Sequence, residues 1–262
     1  MHIDTVQNPE RLVPPRITPM RLEAFEQLPK HARRCVFWEV DPSTLQGSQA
    51  GGNQLWDPEF EKEAWLSMVM LEWGVCGQIA VQCPDSMGDD AVPTGDEACL
   101  GYAFYAPPRA IPRARYFPSG PVSADAVLLT TLGVEPGDGA DALPRTLIAA
   151  VVGDLVRRGV RALEAFGHTA DASDLTDPQA VSPVLRPIID VLGDCSVDQC
   201  VLDVDVLQDA GFVVVSPHPY FPRLRLELEQ GLGWKADVEA ALERLLESAQ
   251  LQQPVGAGAS PC

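Results

Sequence analysis

The residues whose types and spacing could bind a ligand lie in a short loop between a predicted strand and a predicted helix. This loop, Gly137–Arg145, is made mostly of small residues, and it carries two aspartates, Asp138 and Asp141, and one cation, Arg145. The first turn of a helix has N–H groups without partners inside the helix, and such groups suit a phosphate. The spacing therefore predicts an anion site at the loop, with two carboxylates as an unusual part of its composition.

The elements that must position this loop form one unit, from Val127 to Phe166. Its sequence predicts a buried strand (VLLTTLGV), the loop, a helix (LIAAVVGDLVRRG) and a second buried strand (VRALEAF). A strand, helix and strand in this order form a parallel pair with a crossover connection. His168 follows the second strand, at the carboxyl end where sites in α/β sheets tend to lie.

Net charge limits the classes of partner. The chain has 262 residues, with 19 Lys and Arg against 37 Asp and Glu, a formal net charge of −18. Nucleic-acid binding is disfavoured because a phosphate backbone needs a basic surface. An acidic surface could attract a cationic substrate, or it could serve solubility alone.

Cysteine spacing predicts no metal site. The seven cysteines include the pairs Cys195 with Cys200 and Cys76 with Cys83, but there is no CxxC motif and no histidine near either pair at ligand spacing. Reduced thiols in a cytoplasmic protein are the simplest interpretation. The N-terminus has no apolar signal region, and no apolar run approaches the roughly 18 residues of a membrane span, so no membrane partner is expected.

The rest of the chain predicts a mixed order of helices and strands in a single domain. We expect an N-terminal arm over residues 1–17, a domain over 18–232, a C-terminal helix packed on it over 233–250 and a disordered tail over 251–262. The other elements that the patterns predict are a helix opened by Thr18 and Pro19, a strand at Arg34–Val40 (RCVFWEV), a helix from Asp57–Pro58, a hairpin of Gly77–Gln82 and Ala98–Tyr105, a short helix at Val201–Asp209, strands at Phe212–Ser216 and Leu224–Leu228, and a helix at Ala236–Gln250.

This order resembles the GNAT family of acyl-CoA-dependent N-acetyltransferases over roughly residues 18–228. The resemblance is carried by TTLGVEP at Thr130–Pro136, by the loop and helix from Gly137 to Gly159, and by Gly211–Phe212 before a strand. RCVFWEV, GYAFYAPP, LLTTLGVEP, VRALEAFG, PHPYFPRLRLEL and ADVEAALERLL look like an actinobacterial subgroup of unassigned substrate. The resemblance implies an α/β fold of GNAT type: a mixed, mostly antiparallel sheet with a central splayed pair of parallel strands, flanked by helices.

The resemblance also implies where acetyl-CoA or CoA would bind. Backbone groups of Leu132, Gly133 and Val134 on the fourth strand would pair with the pantetheine arm. In the family pattern the loop has a cation and two glycines, and here these positions are Gly139, Ala142 and Pro144. The loop and helix residues that would contact the cofactor are Gly139, Ala140, Asp141, Ala142, Leu143, Arg145 and Thr146.

Two carboxylates are candidates for the base that would deprotonate the acceptor amine. Glu164 lies on the fifth predicted strand, and Glu39 lies in RCVFWEV. Such a base needs a carboxylate with a raised pKa, acting directly or through water. Where many family members have a tyrosine as the acid for the leaving thiolate, this chain has Leu207, so a cysteine or water would serve.

Two functions from different classes are open at this point. The first is an N-acetyltransferase that transfers an acetyl group from acetyl-CoA to a small cationic amine or a protein amine in a ternary complex. The alternative is a catalytically degenerate GNAT-like domain that binds a protein partner or forms a homodimer. The strand TTLGV favours the first function, and the departures in the loop favour the second.

Overall fold

The sheet is the element on which the whole structure is built. The structure, a computed structural model, describes residues 15–44, 57–82, 98–137, 139–172 and 196–228. Eight strands form one sheet in the order β1-β2-β3-β4-β5-β8-β7, and β6 pairs with β5 beside this path. Their bounds are Arg16–Pro19 (β1), Gly77–Val81 (β2), Cys99–Ala106 (β3), Ala126–Val134 (β4), Ala162–His168 (β5), Leu202–Asp203 (β6), Val213–Ser216 (β7) and Arg223–Glu227 (β8).

Most neighbours in the sheet are antiparallel. The predicted hairpin is confirmed as β2 and β3, and β8 pairs with both β5 and β7 in antiparallel register. The pair β4 and β5 is parallel, as the strand–helix–strand pattern predicts. These pairings confirm the predicted fold class, a GNAT-like mixed α/β sheet with a central parallel pair.

Helices cover both faces of the sheet. Their bounds are Lys30–Arg34 (α1), Pro58–Glu72 (α2), Leu143–Arg157 (α3), Val197–Cys200 (α4) and Val204–Asp209 (α5). The predicted start of α2 is confirmed, because the Asp57 side chain accepts a hydrogen bond from the N–H of Glu59 and Pro58 opens the helix. One buried cluster includes Trp65 of α2 and Phe104, and a second, centred on α3, includes Leu147 and Leu163. No helix of the described ranges is both long and apolar enough to cross a bilayer.

The splay of the central strands creates the space for a site. The parallel ladder runs from Ala126 opposite Ala162 to Leu129 opposite Ala165, and it stops there. From Gly167 onward, β5 pairs instead with β6. The second half of β4, Thr130–Val134, therefore diverges from β5 while it stays paired with β3.

The structure corrects two predicted elements. Thr18 and Pro19 end β1 and do not open a helix; the segment that follows is a 3-10 helix over Leu22–Gln27. RCVFWEV is not a strand: α1 ends at Arg34, and the chain then turns. Consecutive residues Phe37, Trp38 and Glu39 are all buried in this turn, whereas a strand would alternate inside and outside.

Some predicted segments lie outside the described residues. These are residues 1–14 of the predicted arm, the acidic loop over 84–97, the C-terminal helix over 236–250 and the tail after it. The described chain begins the sheet at Arg16, and it ends with Leu228 directly after β8.

Gly133 on β4 should not tolerate a side chain. A Cβ at this position would overlap the ring of Tyr102, its partner on β3. We expect Gly133→Ala to lower the free energy of unfolding by about 1–3 kcal/mol, because overpacking displaces a buried ring. Urea denaturation measures this change.

The matched control is Gly153→Ala on α3, where the nearest atom to an added Cβ lies at 3.5 Å, on the flexible side chain of Arg157. A glycine inside a helix costs entropy, so this variant should be more stable by about 0.5–1 kcal/mol. Equal effects at both positions would contradict the close packing of Tyr102 over Gly133.

Candidate functional site

A cleft opens where β4 and β5 separate. Its volume is about 370 Å³. One wall is the diverging half of β4, from Thr130 to Val134, and the start of α3 contributes Pro144. The other wall consists of His168 and the segment Asp198–Val206, which contains the end of α4, β6 and the first turn of α5.

The β4 wall presents backbone groups to the cleft. The N–H of Glu135 donates to the carbonyl of Leu100 at 2.8 Å, so Glu135 is directed toward β3. Backbone groups of an antiparallel strand alternate in direction, so Gly133 also faces β3. Leu132 and Val134 therefore direct their N–H and C=O groups away from β3, toward the cleft. The sequence predicts these residues, and the structure brings them to the cleft wall.

The loop before α3 curls at a position other than the one in the family pattern. Gly139 has a φ of 81°, the left-handed conformation that favours glycine. Ala142 has φ −87° and ψ −17°, a conformation that suits any residue. The glycine that the turn requires therefore stands where the family pattern has its cation. Of the residues predicted to contact a cofactor here, Ala140, Asp141 and Ala142 form a 3-10 turn that leads into α3.

Charges at the start of α3 are few and exposed. Arg145 forms an ion pair with Asp209 of α5 at 3.3 Å, and both side chains are more than half exposed. Pro144 lies in the first turn, where it provides no N–H donor. The Thr146 hydroxyl donates to the carbonyl of Ala142 at 3.0 Å. The Leu143 N–H already donates to the carbonyl of Ala140, so the backbone N–H of Arg145 is the candidate donor that this turn can offer to a phosphate.

The wall opposite β4 is acidic and carries one imidazole. Asp198 and Asp203 both line the cleft, and His168 is the histidine among its lining residues. Asp203 caps α5, because its carboxylate accepts from the N–H groups of Asp205 and Val206. Leu207 is fully buried, so it contributes no titratable group to the cleft. His168 lies at the end of β5, beside the point where β4 and β5 separate.

Glu164 does not suit the role of a base. Its side chain is fully buried, with Arg223 at 2.5 Å and Arg225 at 3.1 Å, and it accepts from the N–H of Ser123 at 3.1 Å. Burial works to raise the pKa of this carboxyl, yet the hydrogen bonds from Ser123 and the two arginines hold it below its ordinary value. A base near neutral pH needs the opposite shift. Glu164 is also absent from the residues that line the cleft. Its ion pairs with Arg223 and Arg225 join β5 to β8 instead.

Glu39 lies elsewhere in the molecule. It forms a buried ion pair with Lys62 of α2, and the Lys62 ammonium lies 4.7 Å from the centre of the Phe104 ring. The turn that replaces the predicted strand directs Glu39 into this core and not into the cleft. Neither predicted carboxylate therefore reaches the β4–β5 splay.

Sequence reasoning missed most of the second wall. The sequence predicts a loop up to Asp198 and a helix over Val201–Asp209, yet the chain forms α4 and the short strand β6 before α5 begins at Val204. No periodicity signals a two-residue strand, so its pairing with Gly167 and His168 could not be read from the chain. The position of His168 at the end of a buried strand was the one available signal.

Comparisons with known proteins found similar solved structures but no matching family. No protein-family model matches the chain, and no curated protein sequence matches it. Similar solved structures include the ribosomal-protein-S18-alanine N-acetyltransferase from Escherichia coli, at 11% identity and a TM-score of 0.39, over 82% of this chain and 94% of that chain. They also include the PaiA N-acetyltransferase from Thermoplasma acidophilum in complex with coenzyme A, at 12% and 0.40, over 82% and 99%.

An N-acetyltransferase from Staphylococcus aureus Mu50 is similar at 12% identity and a TM-score of 0.40, over 82% of this chain and 98% of that chain. TM-scores of this size carry no argument about the site. The fold class rests on the strand order and on the parallel pair β4 and β5.

Replacing Glu164 should change stability in a pH-dependent way. A carboxyl whose folded pKa is depressed contributes stability above its unfolded pKa, and it loses that contribution as pH falls through the folded pKa. We expect Glu164→Gln to be clearly less stable than the unmodified chain at pH 7, with the difference shrinking below about pH 4.3. Urea unfolding at a series of pH values measures this. A constant difference from pH 7 to pH 3 would contradict the ion pair.

Removing one partner of the buried pair Glu39–Lys62 should be costly. Lys62→Met leaves a buried carboxylate uncompensated, which costs about 3–5 kcal/mol of unfolding free energy. The double variant Glu39→Gln with Lys62→Met removes that charge and should recover part of the loss. Thermal and urea unfolding of both variants provide the test, and a Lys62→Met variant of full stability would show that the pair is not buried.

Proposed function

We propose that this protein is an acyl-CoA-dependent N-acetyltransferase. The observation that carries the proposal is the splay of β4 from β5, which exposes the backbone groups of Leu132 and Val134 in a cleft that ends at the first turn of α3. An extended ligand arm with amide groups can pair with such an edge as an added strand does. The first turn of α3, which holds the N–H of Arg145, then lies at the end of the cleft, where a pyrophosphate needs donors.

The residues present fit the arm of the ligand better than its phosphates. Acyl-CoA supplies the acetyl group as a thioester. The N–H groups on the cleft side of β4 would hold the arm and polarise the thioester carbonyl as negative charge develops on its oxygen. At the phosphate end, the backbone N–H and the exposed side chain of Arg145 would carry the binding, with Asp209 competing for the guanidinium.

His168 is the group that we assign to proton transfer. An imidazole suits the exchange of a proton near neutral pH, and His168 lies in the cleft at the carboxyl end of β5. It would accept a proton from the attacking amine, directly or through a water. Nitrogen–carbon bond formation then expels the thiolate, which takes up a proton from solvent.

The charge of the cleft favours a cationic acceptor. Asp198 and Asp203 line the wall opposite β4, and the whole chain has a formal net charge of −18. Negative charge around a cleft raises the local concentration of cations and disfavours anions. We therefore place a polyamine or a peptide amine in the class of acceptors. Membership of the actinobacterial subgroup also remains a prediction from the sequence resemblance.

Filling the cleft should abolish binding of acetyl-CoA. Val206 on α5 is half-buried and lines the cleft, so Val206→Trp would occupy its space. In calorimetric titrations of acetyl-CoA into the full chain, we expect at least about tenfold weaker binding, equivalent to 1.4 kcal/mol. Val214→Trp, at an exposed position on β7, is the matched control and should bind normally. Equal affinities in both variants would place the ligand elsewhere.

His168→Ala should separate binding from turnover. We expect the rate of CoA release, followed by chromatography with a panel of polyamines and peptides, to fall about 100-fold at pH 7. The affinity for acetyl-CoA should stay unchanged, and added imidazole should restore part of the rate. Unchanged turnover in His168→Ala would remove this residue from the mechanism while leaving the cleft assignment intact.

A second function is favoured by the loop itself. Pro144 removes one donor, Asp141 adds a carboxylate, and Arg145 is shared with Asp209, so the phosphate end is poorer than a typical CoA site needs. A non-catalytic domain that binds a protein or forms a homodimer would keep the same scaffold. No calorimetric signal with acetyl-CoA or CoA at millimolar concentration would decide for this alternative, and sedimentation would then measure self-association.

A further inference from the structure

A cluster of three side chains that could bind a metal ion includes Cys200, a residue of the cleft wall. His31 and Cys35 come from α1 and the residue that ends it, and Cys200 comes from α4. One ligand atom from each residue lies within 4.8 Å of the others. Residues from positions 31 and 200 meet here, so the cluster joins two distant parts of the chain.

We propose that these residues bind one Zn²⁺ when Cys200 is reduced. The Sγ atoms of Cys35 and Cys200 are 3.6 Å apart. Two thiolates on a tetrahedral zinc, each about 2.3 Å from the ion, are separated by roughly 3.8 Å. The two sulfurs therefore already have nearly the spacing that a shared zinc ion requires.

The histidine supplies the third ligand from the same helical face. His31 and Cys35 are four residues apart, and the N–H of Cys35 donates to the carbonyl of His31 at 2.8 Å, which keeps the helical turn closed. The Nε2 atom of His31 is buried and has no hydrogen-bond partner among the described residues. A metal ion would satisfy this nitrogen. Three protein ligands leave one position for water.

Charge balance also favours a divalent cation. Two thiolates, one neutral imidazole and Zn²⁺ form a group without net charge. Thiolate and imidazole ligands select zinc over magnesium or calcium.

The oxidation state of Cys200 controls the site. In the structure Cys200 is disulfide-bonded, and a disulfide sulfur is not a thiolate ligand. A thiol or phosphine reductant supplies two electrons, two protons complete the two thiols, and zinc binding then releases the protons of Cys35 and Cys200. Disulfide and metal therefore exclude each other, and reducing conditions favour the metal.

The consequence of binding is structural. Cys200 also accepts a hydrogen bond at its carbonyl from the indole of Trp38 at 2.8 Å, so the segment after α1 already contacts α4. A zinc ion would fix α1 to α4, and α4 belongs to the cleft wall. The proposal does not depend on acetyl transfer, because it rests on the positions of His31, Cys35 and Cys200 and not on a bound acyl-CoA.

Cobalt provides the direct test. The full chain, freed of metal and reduced with a phosphine under argon, is titrated with Co²⁺, and thiolate-to-metal charge-transfer absorption is recorded. We expect one Co²⁺ per chain, displaced by Zn²⁺, and no binding when the reductant is omitted. Cys35→Ser and His31→Gln should each bind at least about 100-fold more weakly, since even loss of an outer-shell partner costs up to that much. Cys99→Ser, a buried cysteine on β3, is the control and should bind normally.

Thermal unfolding under the same reducing conditions keeps the test independent of variant folding. Zinc should raise the Tm of the unmodified chain and of Cys99→Ser, and should leave the Tm of His31→Gln unchanged. No charge-transfer band in the reduced chain would overturn the proposal, as would undiminished binding in both ligand variants. Equal binding without reductant would remove Cys200 from the site.

Discussion

The structure depends on a limit of β-sheet hydrogen bonding: one edge of a strand can pair with one neighbour at a time. On this edge β5 bonds to β4 from Ala162 to Ala165, and it then bonds to β6 at Gly167 and His168. The second half of β4 therefore finds no unpaired backbone groups on β5 with which to form hydrogen bonds. Gly167 supports the exchange, because a Cβ there would lie 2.7 Å from the side chain of Val204 at the start of α5. A cleft follows from this change of partner.

The opposite edge of β5 pairs with β8, and ion pairs strengthen this contact. Glu164 connects to Arg223 and Arg225 of β8, and Arg225 continues to Asp125 at 3.0 Å and to Glu227 at 2.6 Å. These pairs join the loop before β4, β5 and β8 into one charged network. Since β5 is fixed on this side, the β4 wall and the α4–α5 wall keep their separation. The carboxylate that looked suited to chemistry thus holds the frame of the site.

Sequence patterns predicted those elements whose signals are local. The strands β2 to β5, the helices α2 and α3 and the strands β7 and β8 have apolar runs bounded by Gly, Pro or a capping Asp, and these signals need no knowledge of the rest of the chain. RCVFWEV has the composition of a strand, yet aromatic packing of Trp38 on Phe117 at 4.8 Å holds it in a turn. Tertiary contacts overrode local preference there.

The candidate site was predictable only in part for the same reason. Leu132 and Val134 follow from the strand and from the resemblance, whereas the role of Glu164 depends on arginines about sixty residues further along the chain. Sequence spacing suggests a contact only between cysteines that are close along the chain. Cys35 and Cys200 are 165 residues apart, so spacing does not predict that their sulfurs meet. Interactions between distant segments leave no local periodicity to read.

At Gly139 the backbone conformation that the turn requires conflicts with the charge that a phosphate site would use. The chain needs a left-handed residue at this position to turn into α3, and the loop pattern that the sequence resembles has a cation there. An arginine at a φ of 81° would carry a strain of about 1–2 kcal/mol, so introducing the charge would distort the turn that directs the chain into α3. A cation is therefore introduced with less strain at a neighbouring position, where the backbone does not require a left-handed residue, than at position 139.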